Sequence, residues 1–272
     1  MQGGVAVQAA LGSRIAVFGL GLIGTSLALD LRAAGYEVAG YDAQQAHVAL
    51  AAERGALDVR LGAPRGAFDA IVLAAPPKAN LALLGAQAQA KLWIDTGSVK
   101  EEIVRSARAR GLPFVGGHPL AGSEGGGPAA AQRGLFRARG FALCPGGGPE
   151  EAAQALVAEI GAHALWVDAA EHDLQVARSS HLVYAWSCAL AEILKDTPPA
   201  LVGPAAREML RVATSPPGLW TEILEMNRPA VAVALEEAQA SLRRAAAGDM
   251  KTLGLARDLA RRLREGDRSD GG

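Results

Sequence analysis

Of the five histidines in this 272-residue sequence, His118 has the setting best suited to proton transfer. It belongs to Gly116-Gly117-His118-Pro119, directly after Pro113–Val115, an apolar run that reads as a β-strand. An ordinary imidazole has a pKa of about 6.5 and is largely neutral near pH 7, so it can take a hydroxyl proton while hydride leaves the same carbon. Asp95-Thr96-Gly97-Ser98-Val99-Lys100 follows a second apolar run, Leu92–Ile94, and Ser98 is placed to hydrogen-bond to His118 or to a substrate. The remaining histidines suit chemistry less well. His47 is expected on a surface helix, His163 before an edge strand, and His172 at a helix start beside Asp173, all in solvated or capping roles. His181 follows Ser179-Ser180 inside a long helix and is expected at a domain junction. Arg207 and Arg211, four apart, share a helix face with Glu208 between them. Either can clamp a substrate carboxylate with two parallel hydrogen bonds, and spacing alone does not choose.

A second constellation lies near the N-terminus. Gly19-Leu20-Gly21-Leu22-Ile23-Gly24 follows the apolar run Arg14–Phe18 and opens a helical pattern. In such a turn the first glycine makes the bend, the second lets backbone approach a pyrophosphate, and the third lets helix and strand pack closely. The N–H groups around Leu22 and Ile23 then face the anion. Asp42 ends the next strand, where its carboxylate accepts ribose hydroxyls and repels a 2′-phosphate, so NAD is expected rather than NADP. Ala75-Pro76-Pro77 follows the strand Ala70–Ala74 and borders the same crevice.

These residues need a scaffold, and the sequence supplies one. Arg14–Phe18, Glu37–Tyr41, Ala70–Ala74, Leu92–Ile94 and Pro113–Val115 read as strands alternating with helices over Gly24–Ala34, Gln44–Arg54 and Lys100–Arg110. Gly140–Cys144 and Ala164–Val167 add edge strands around a helix over Pro149–Ile160. This is the pattern of an α/β, doubly wound Rossmann-type sheet, assigned to residues 12–168. Beyond it the sequence is helical: Glu171–Lys195, Pro204–Val212, Pro217–Met226 and Pro229–Leu263, divided by proline-bearing breaks. Residues 169–265 are therefore expected to form an all-helical substrate and dimerisation domain, and 266–272 a frayed tail.

Bulk composition is consistent with a soluble enzyme. A net charge of -1 gives no attraction to nucleic acid or anionic membranes, and 50% hydrophobic residues exclude disorder. No apolar stretch is long enough to span a bilayer. Met1–Ser13 lacks a basic cluster before an apolar run and does not read as a signal peptide. Cys144 and Cys188 lie too far apart for a metal-type pair and are expected as reduced thiols of a cytoplasmic protein.

Taken together, GLGLIGTSLALDLRAAGYEVAGYD, DTGSVK, GGHPLAGSEGGG, the His172-Asp173 and Ser179-Ser180-His181-Leu182 pairs of segments, and REMLRVATSPPGLW resemble the prephenate dehydrogenase family, which includes arogenate dehydrogenases. The resemblance runs from Ile15 to about Asn227. It implies NAD-dependent oxidative decarboxylation of prephenate to 4-hydroxyphenylpyruvate on the route to tyrosine. It makes His118 the proton acceptor, Ser98 its orienting partner and Arg211 the ring-carboxylate clamp. It places Ser123, Glu124, Ser180, His181 and Tyr184 around the substrate, with Trp220 on a nearby loop, and it implies a homodimer. Two departures stand out. Tyr184 replaces a second pocket histidine found in many prephenate-specific members, and Ser215-Pro216-Pro217 replaces Ser-Asp-Pro ahead of the tryptophan. An arogenate-specific or dual-substrate enzyme is the main alternative, followed by a 3-hydroxyacid dehydrogenase or an imine reductase on a similar frame. A non-catalytic NAD sensor would keep the glycines and Asp42 but have no use for His118, Ser98 and Arg211.

Overall fold

The structure, a computed structural model, describes residues 12–122 and 125–269. The first eleven residues of the N-terminal segment, Ser123 and Glu124 lie outside the described residues. Two compact units form, and packing interleaves them along the chain. One runs up to Val176 and adds Thr214–Asn227; the other holds Ala177–Ala213 and the chain from Arg228 onward.

The first unit is built on an eight-stranded sheet in the order β3-β2-β1-β4-β5-β6-β7-β8. Its strands are β1 (Arg14–Phe18), β2 (Glu37–Tyr41), β3 (Val59–Arg60), β4 (Arg65–Leu73), β5 (Gln87–Asp95), β6 (Phe114–Pro119), β7 (Gly140–Pro145) and β8 (His163–Trp166). β1 to β6 pair in parallel, whereas β7 runs antiparallel to β6 and carries β8 parallel to itself. Helices cover both faces, because alternate residues of the central strands feed two separate cores. Ile15, Val17, Val72 and Ile94 join one core with Leu27 and Leu31; Ala16, Phe18, Ile71, Leu73 and Trp93 join the other with Ile103 and Val104.

The helices of this unit are α1 (Leu22–Ala33), α2 (Gln45–Glu53), α3 (Pro77–Leu83), α4 (Glu101–Ala109), α5 (Glu150–Glu159), α6 (Ala169–Val176) and α9 (Pro217–Met226). β4 and β5 start well before the apolar runs that announced them. Their outer halves pair from Arg65↔Gln87 onward, and in β5 exposed residues alternate with partly buried ones. Strand order reverses between the parallel neighbours β1 and β4, so the connections leaving their carboxyl ends run to opposite sides and open a crevice.

The second unit is helical: a π-helical segment Ala177–His181, then α7 (Leu182–Leu194), α8 (Pro204–Arg211), α10 (Arg228–Ala246) and α11 (Met250–Ser269). Three expectations change here. The helix expected over Glu171–Lys195 contains the π segment. The helix expected over Pro229–Leu263 breaks at Gly248, whose φ of +73° ends α10, while Asp249 Oδ2 accepts the Thr252 N–H at 3.0 Å and caps α11. The frayed tail is instead helix as far as Ser269, with Arg261 pairing Glu265 one turn on.

Candidate active site

Each glycine of the first turn has a distinct steric reason. Gly19 has φ +101°, and a Cβ there would meet Ala74 C and Ala75 N, both at 2.4 Å. A Cβ on Gly24 would lie 1.9 Å from the Gly19 carbonyl oxygen. A Cβ on Gly21 would meet nothing within 4 Å, so that glycine leaves open space over the mouth of α1. Gly21 is the N-cap of α1, with no side-chain cap and no acidic residue in the first turn. The N–H groups at Leu22 and Ile23 and the positive helix end are thus left for an anion.

Asp42 closes β2, where Oδ2 accepts the Leu20 N–H at 2.7 Å and Oδ1 the Gln44 N–H at 2.8 Å. It therefore holds the glycine turn as well as facing a cleft of about 430 Å³, lined by Gly19, Gly21, Asp42, Ala75, Pro76, His47 and Gly127 among others. Ala75 and Pro76 are fixed by the Ala75 N–H donating to Asn80 Oδ1 at 3.0 Å, and Pro77 begins α3. His47 is not on an outer surface as expected. Only 26% of its side chain is exposed, and Nδ1 lies 3.5 Å from Asp42 Oδ2, because α2 turns that face toward the cleft.

The second crevice wall is held by a buried ion pair. Lys100 and Asp95 are fully buried and bonded to each other, so each charge is balanced where water cannot reach it. Asp95 Oδ2 also accepts the Gly97 N–H at 2.8 Å, and Oδ1 the Gly117 N–H at 3.0 Å. One carboxylate thus ties the loop after β5 to the end of β6. Gly117 permits that approach, since a Cβ there would sit 2.3 Å from the Asp95 carbonyl oxygen.

His118, beside Gly117, is met by a residue the sequence reading set aside. Its Nδ1 lies 2.9 Å from Nε2 of His172, and Nδ1 of His172 lies 2.8 Å from Asp173 Oδ1. Asp173 in turn accepts the Lys100 N–H at 2.7 Å and the Glu101 N–H at 2.9 Å, anchoring it at the start of α4. Asn227 Nδ2 donates to the Asp173 carbonyl at 2.8 Å. His172 and Asp173 are each 3% exposed, so the solvated or capping role expected for His172 is incorrect. The signal was the adjacent His-Asp pair, read only against its own helix. Ser98 is half-buried in the loop after β5, and His172 is the partner given to His118 Nδ1.

Trp220 stands in the first turn of α9 rather than on a loop. α9 is fastened to α3 by Glu222, which accepts the Lys78 N–H at 3.1 Å, and by the Glu225–Lys78 ion pair at 2.7 Å. In the helical unit, Ser180 and buried His181 occupy the π segment. Tyr184 is buried on α7, and burial, then its hydrogen bond with Cys188, raises its pKa above the usual phenol value. Arg211 ends α8, half-exposed, 3.0 Å from Glu208. Arg207 spends its guanidinium on the carbonyls of Val202 and Pro199, at 3.0 and 2.7 Å, and so braces the α7–α8 connection. No described helix is long and apolar enough to cross a membrane.

The sheet order, the glycine turn with Asp42 opposite it, and a polar cluster at the ends of β5 and β6 define a Rossmann-type nucleotide-binding protein followed by a helical unit. More narrowly, the chain belongs to the prephenate dehydrogenase family. Residues 27–165 match the family's nucleotide-binding domain and 168–250 its dimerization domain. The chain is 32% identical over 235 residues to prephenate dehydrogenase of Lactococcus lactis, an alignment covering 79% of this chain and 65% of that protein. It therefore spans less than two thirds of that relative's length. It is 31% identical to cyclohexadienyl dehydrogenase of Zymomonas mobilis, over 85% of this chain and 86% of that one. The fold matches the A. aeolicus prephenate dehydrogenase crystallised with hydroxyphenyl propionate and NAD+, with TM-score 0.82 and 22% identity over 93% of this chain and 98% of that one.

Proposed function

We propose that this chain oxidises prephenate with NAD, releasing CO₂ and 4-hydroxyphenylpyruvate, as a step of tyrosine biosynthesis. The observation that carries the reading is His118 at the carboxyl end of β6, its Nδ1 held 2.9 Å from buried His172. The first unit's residues fit a dinucleotide. The uncapped start of α1 and the space over Gly21 suit a pyrophosphate, and Asp42 suits unphosphorylated ribose hydroxyls. When bound, NAD supplies the hydride acceptor.

In the reaction His118 Nε2 takes the ring hydroxyl proton as the carbon beneath loses hydride. The ring ketone so formed draws in the electrons of the breaking C–CO₂⁻ bond. CO₂ leaves, the ring becomes a phenolate, and the proton held by His118 returns to its oxygen. Arg211 holds a substrate carboxylate, and its pairing with Glu208 limits how tightly it does so. That restraint matters, because over-stabilising the leaving carboxylate would slow decarboxylation. Arogenate is the second reading, favoured by Tyr184 standing where many prephenate-specific members carry a histidine. The residues matched to the dimerization domain are proposed to join two chains as a homodimer. Free Cys144 and Cys188 suit a reducing compartment, and we assign the cytoplasm.

The test is NADH formation with prephenate, arogenate and a panel of 3-hydroxyacids in parallel. Prephenate is expected to react, and His118→Asn to lower kcat about 10²–10⁴-fold. Turnover of arogenate alone moves the substrate to the second reading, and near-normal kcat in His118→Asn removes the base assignment.

A further inference from the structure

We propose that Asp173 and His172 form a relay that fixes His118 in the one neutral tautomer able to accept a proton from the substrate. The inference rests on His118 being the base, and it concerns what His172 and Asp173 do for that base.

An ionised carboxylate has only lone pairs to offer. Asp173 stands at the start of α4, where Oδ1 accepts the Lys100 N–H and Oδ2 the Glu101 N–H, so both of its oxygens act as acceptors. The nitrogen of His172 facing Asp173 Oδ1 must then carry a proton. In neutral His172 the other nitrogen, Nε2, is an acceptor, and it faces His118 Nδ1 at 2.9 Å. His118 must supply the hydrogen from Nδ1, which leaves its Nε2 with the lone pair. The reverse tautomer would present an N–H to the substrate hydroxyl and could take nothing from it. Once His118 is protonated, its Nδ1–H still has an acceptor, and the Asp173 charge lies one imidazole away.

The surroundings leave this charge in place. Asp95 and Lys100 neutralise each other, Glu101 begins α4, and Asp168 caps α6. Cys144, on β7, is pushed up to about 12 by burial and stays a thiol. Asp173 is held at its carboxylate by α4 and at its carbonyl by Asn227, so the relay is rigid at its far end.

Substitutions separate a relay from mere packing. In Asp173→Asn the amide oxygen can keep only one of the two carboxylate positions; with it on the Glu101 N–H, the amide N–H₂ stands where Oδ1 faces His172 and reverses both tautomers. By analogy with a serine protease whose orienting aspartate is replaced by asparagine, kcat should fall about 10²–10⁴-fold. KM for prephenate and NAD affinity should stay within about threefold. His172→Gln retains an acceptor for His118 and a donor for Asp173, and should keep kcat within about tenfold. His172→Leu should lose it as Asp173→Asn does and move the acidic limb of the pH–rate profile to lower pH.

Nitrogen NMR of histidine-labelled protein reads the tautomer without catalysis. At neutral pH His118 should be protonated at Nδ1 in the wild type and at Nε2 in Asp173→Asn. An Nε2–H tautomer in the wild type overturns the relay, as do equal losses in His172→Gln and His172→Leu with no movement of the acidic limb. Should the tautomers behave as stated while His118→Asn keeps normal kcat, the relay stands and the base assignment fails.

Discussion

Arg211 and Asp42 touch different parts of the proposed reaction, and their substitutions should be distinguishable. Arg211 makes a ground-state contact, so Arg211→Gln should raise KM for the dicarboxylate substrate with little change in kcat or NAD affinity. A lost charge-assisted bond of about 1.5–3 kcal/mol corresponds to roughly 10–200-fold. An unchanged KM would send the clamp to another residue, and Arg207, already bound to two carbonyls, is a poor replacement. Asp42 has two duties, since it accepts the Leu20 N–H as well as facing the ribose side of the cleft. Asp42→Ser should therefore lower kcat/KM for NAD, and lower that for NADP less, so that the ratio moves toward NADP. A wild-type enzyme preferring NADP would refute the selection argument outright.

Among the elements, the ends of the strands show how carboxylates fix register. Asp69 on β4 accepts the Ser13 and Arg14 N–H groups at 3.0 and 3.1 Å and pairs with Lys91 at 2.9 Å, fastening the start of β1 and the middle of β5. Burial alone would raise its pKa, but Lys91 and the two amides outweigh that and hold it below the usual value. A lowered folded-state pKa stabilises above the unfolded value and is lost as pH falls through the folded one. Asp69→Asn should cost about 1 kcal/mol at pH 7, and the difference from wild type should shrink below about pH 4 in urea melts. A gap that persists undiminished to pH 2 would show that packing, not charge, is responsible. What the sequence displayed at this scale follows the same physics. Strands buried on both faces, such as Arg14–Phe18, read clearly because they are uninterrupted apolar runs. The two-residue β3, and α3 beginning at Pro77, were too short or too proline-marked to register as periodic. At the site, local spacing pointed to Gly19, Gly21, Gly24, Asp42 and His118, and the fold ties Asp42 to the glycine turn and His118 to His172. His172 was not, because its meaning depends on His118, far away in the sequence, and on the start of α4.

For the whole molecule, the helical unit's exposed apolar side chains bear on assembly. Ile193 is 76% exposed, Leu201 75%, and Leu255 and Leu263 each 63%, all within that unit. Scattered exposed leucines are ordinary, but Ile193 and Leu201 fall in the stretch matched to a dimerization domain, and Leu255 and Leu263 lie on the amphipathic α11 just beyond it, which suits an apolar interface. A stable homodimer generally buries more than about 1,000 Å², which these helices have the length to provide. If the homodimer forms, light scattering at micromolar concentration should give twice the chain mass, and Tm should rise with protein concentration, since association stabilises the folded state by mass action. Replacing both Ile193 and Leu255 by glutamate should shift the mass toward a single chain, because buried unpaired carboxylates would oppose association. The nucleotide-binding unit keeps its own two cores in that variant, so NAD binding by fluorescence should survive. A wild-type chain that is monomeric at tens of micromolar, with a Tm independent of concentration, would reject the homodimer.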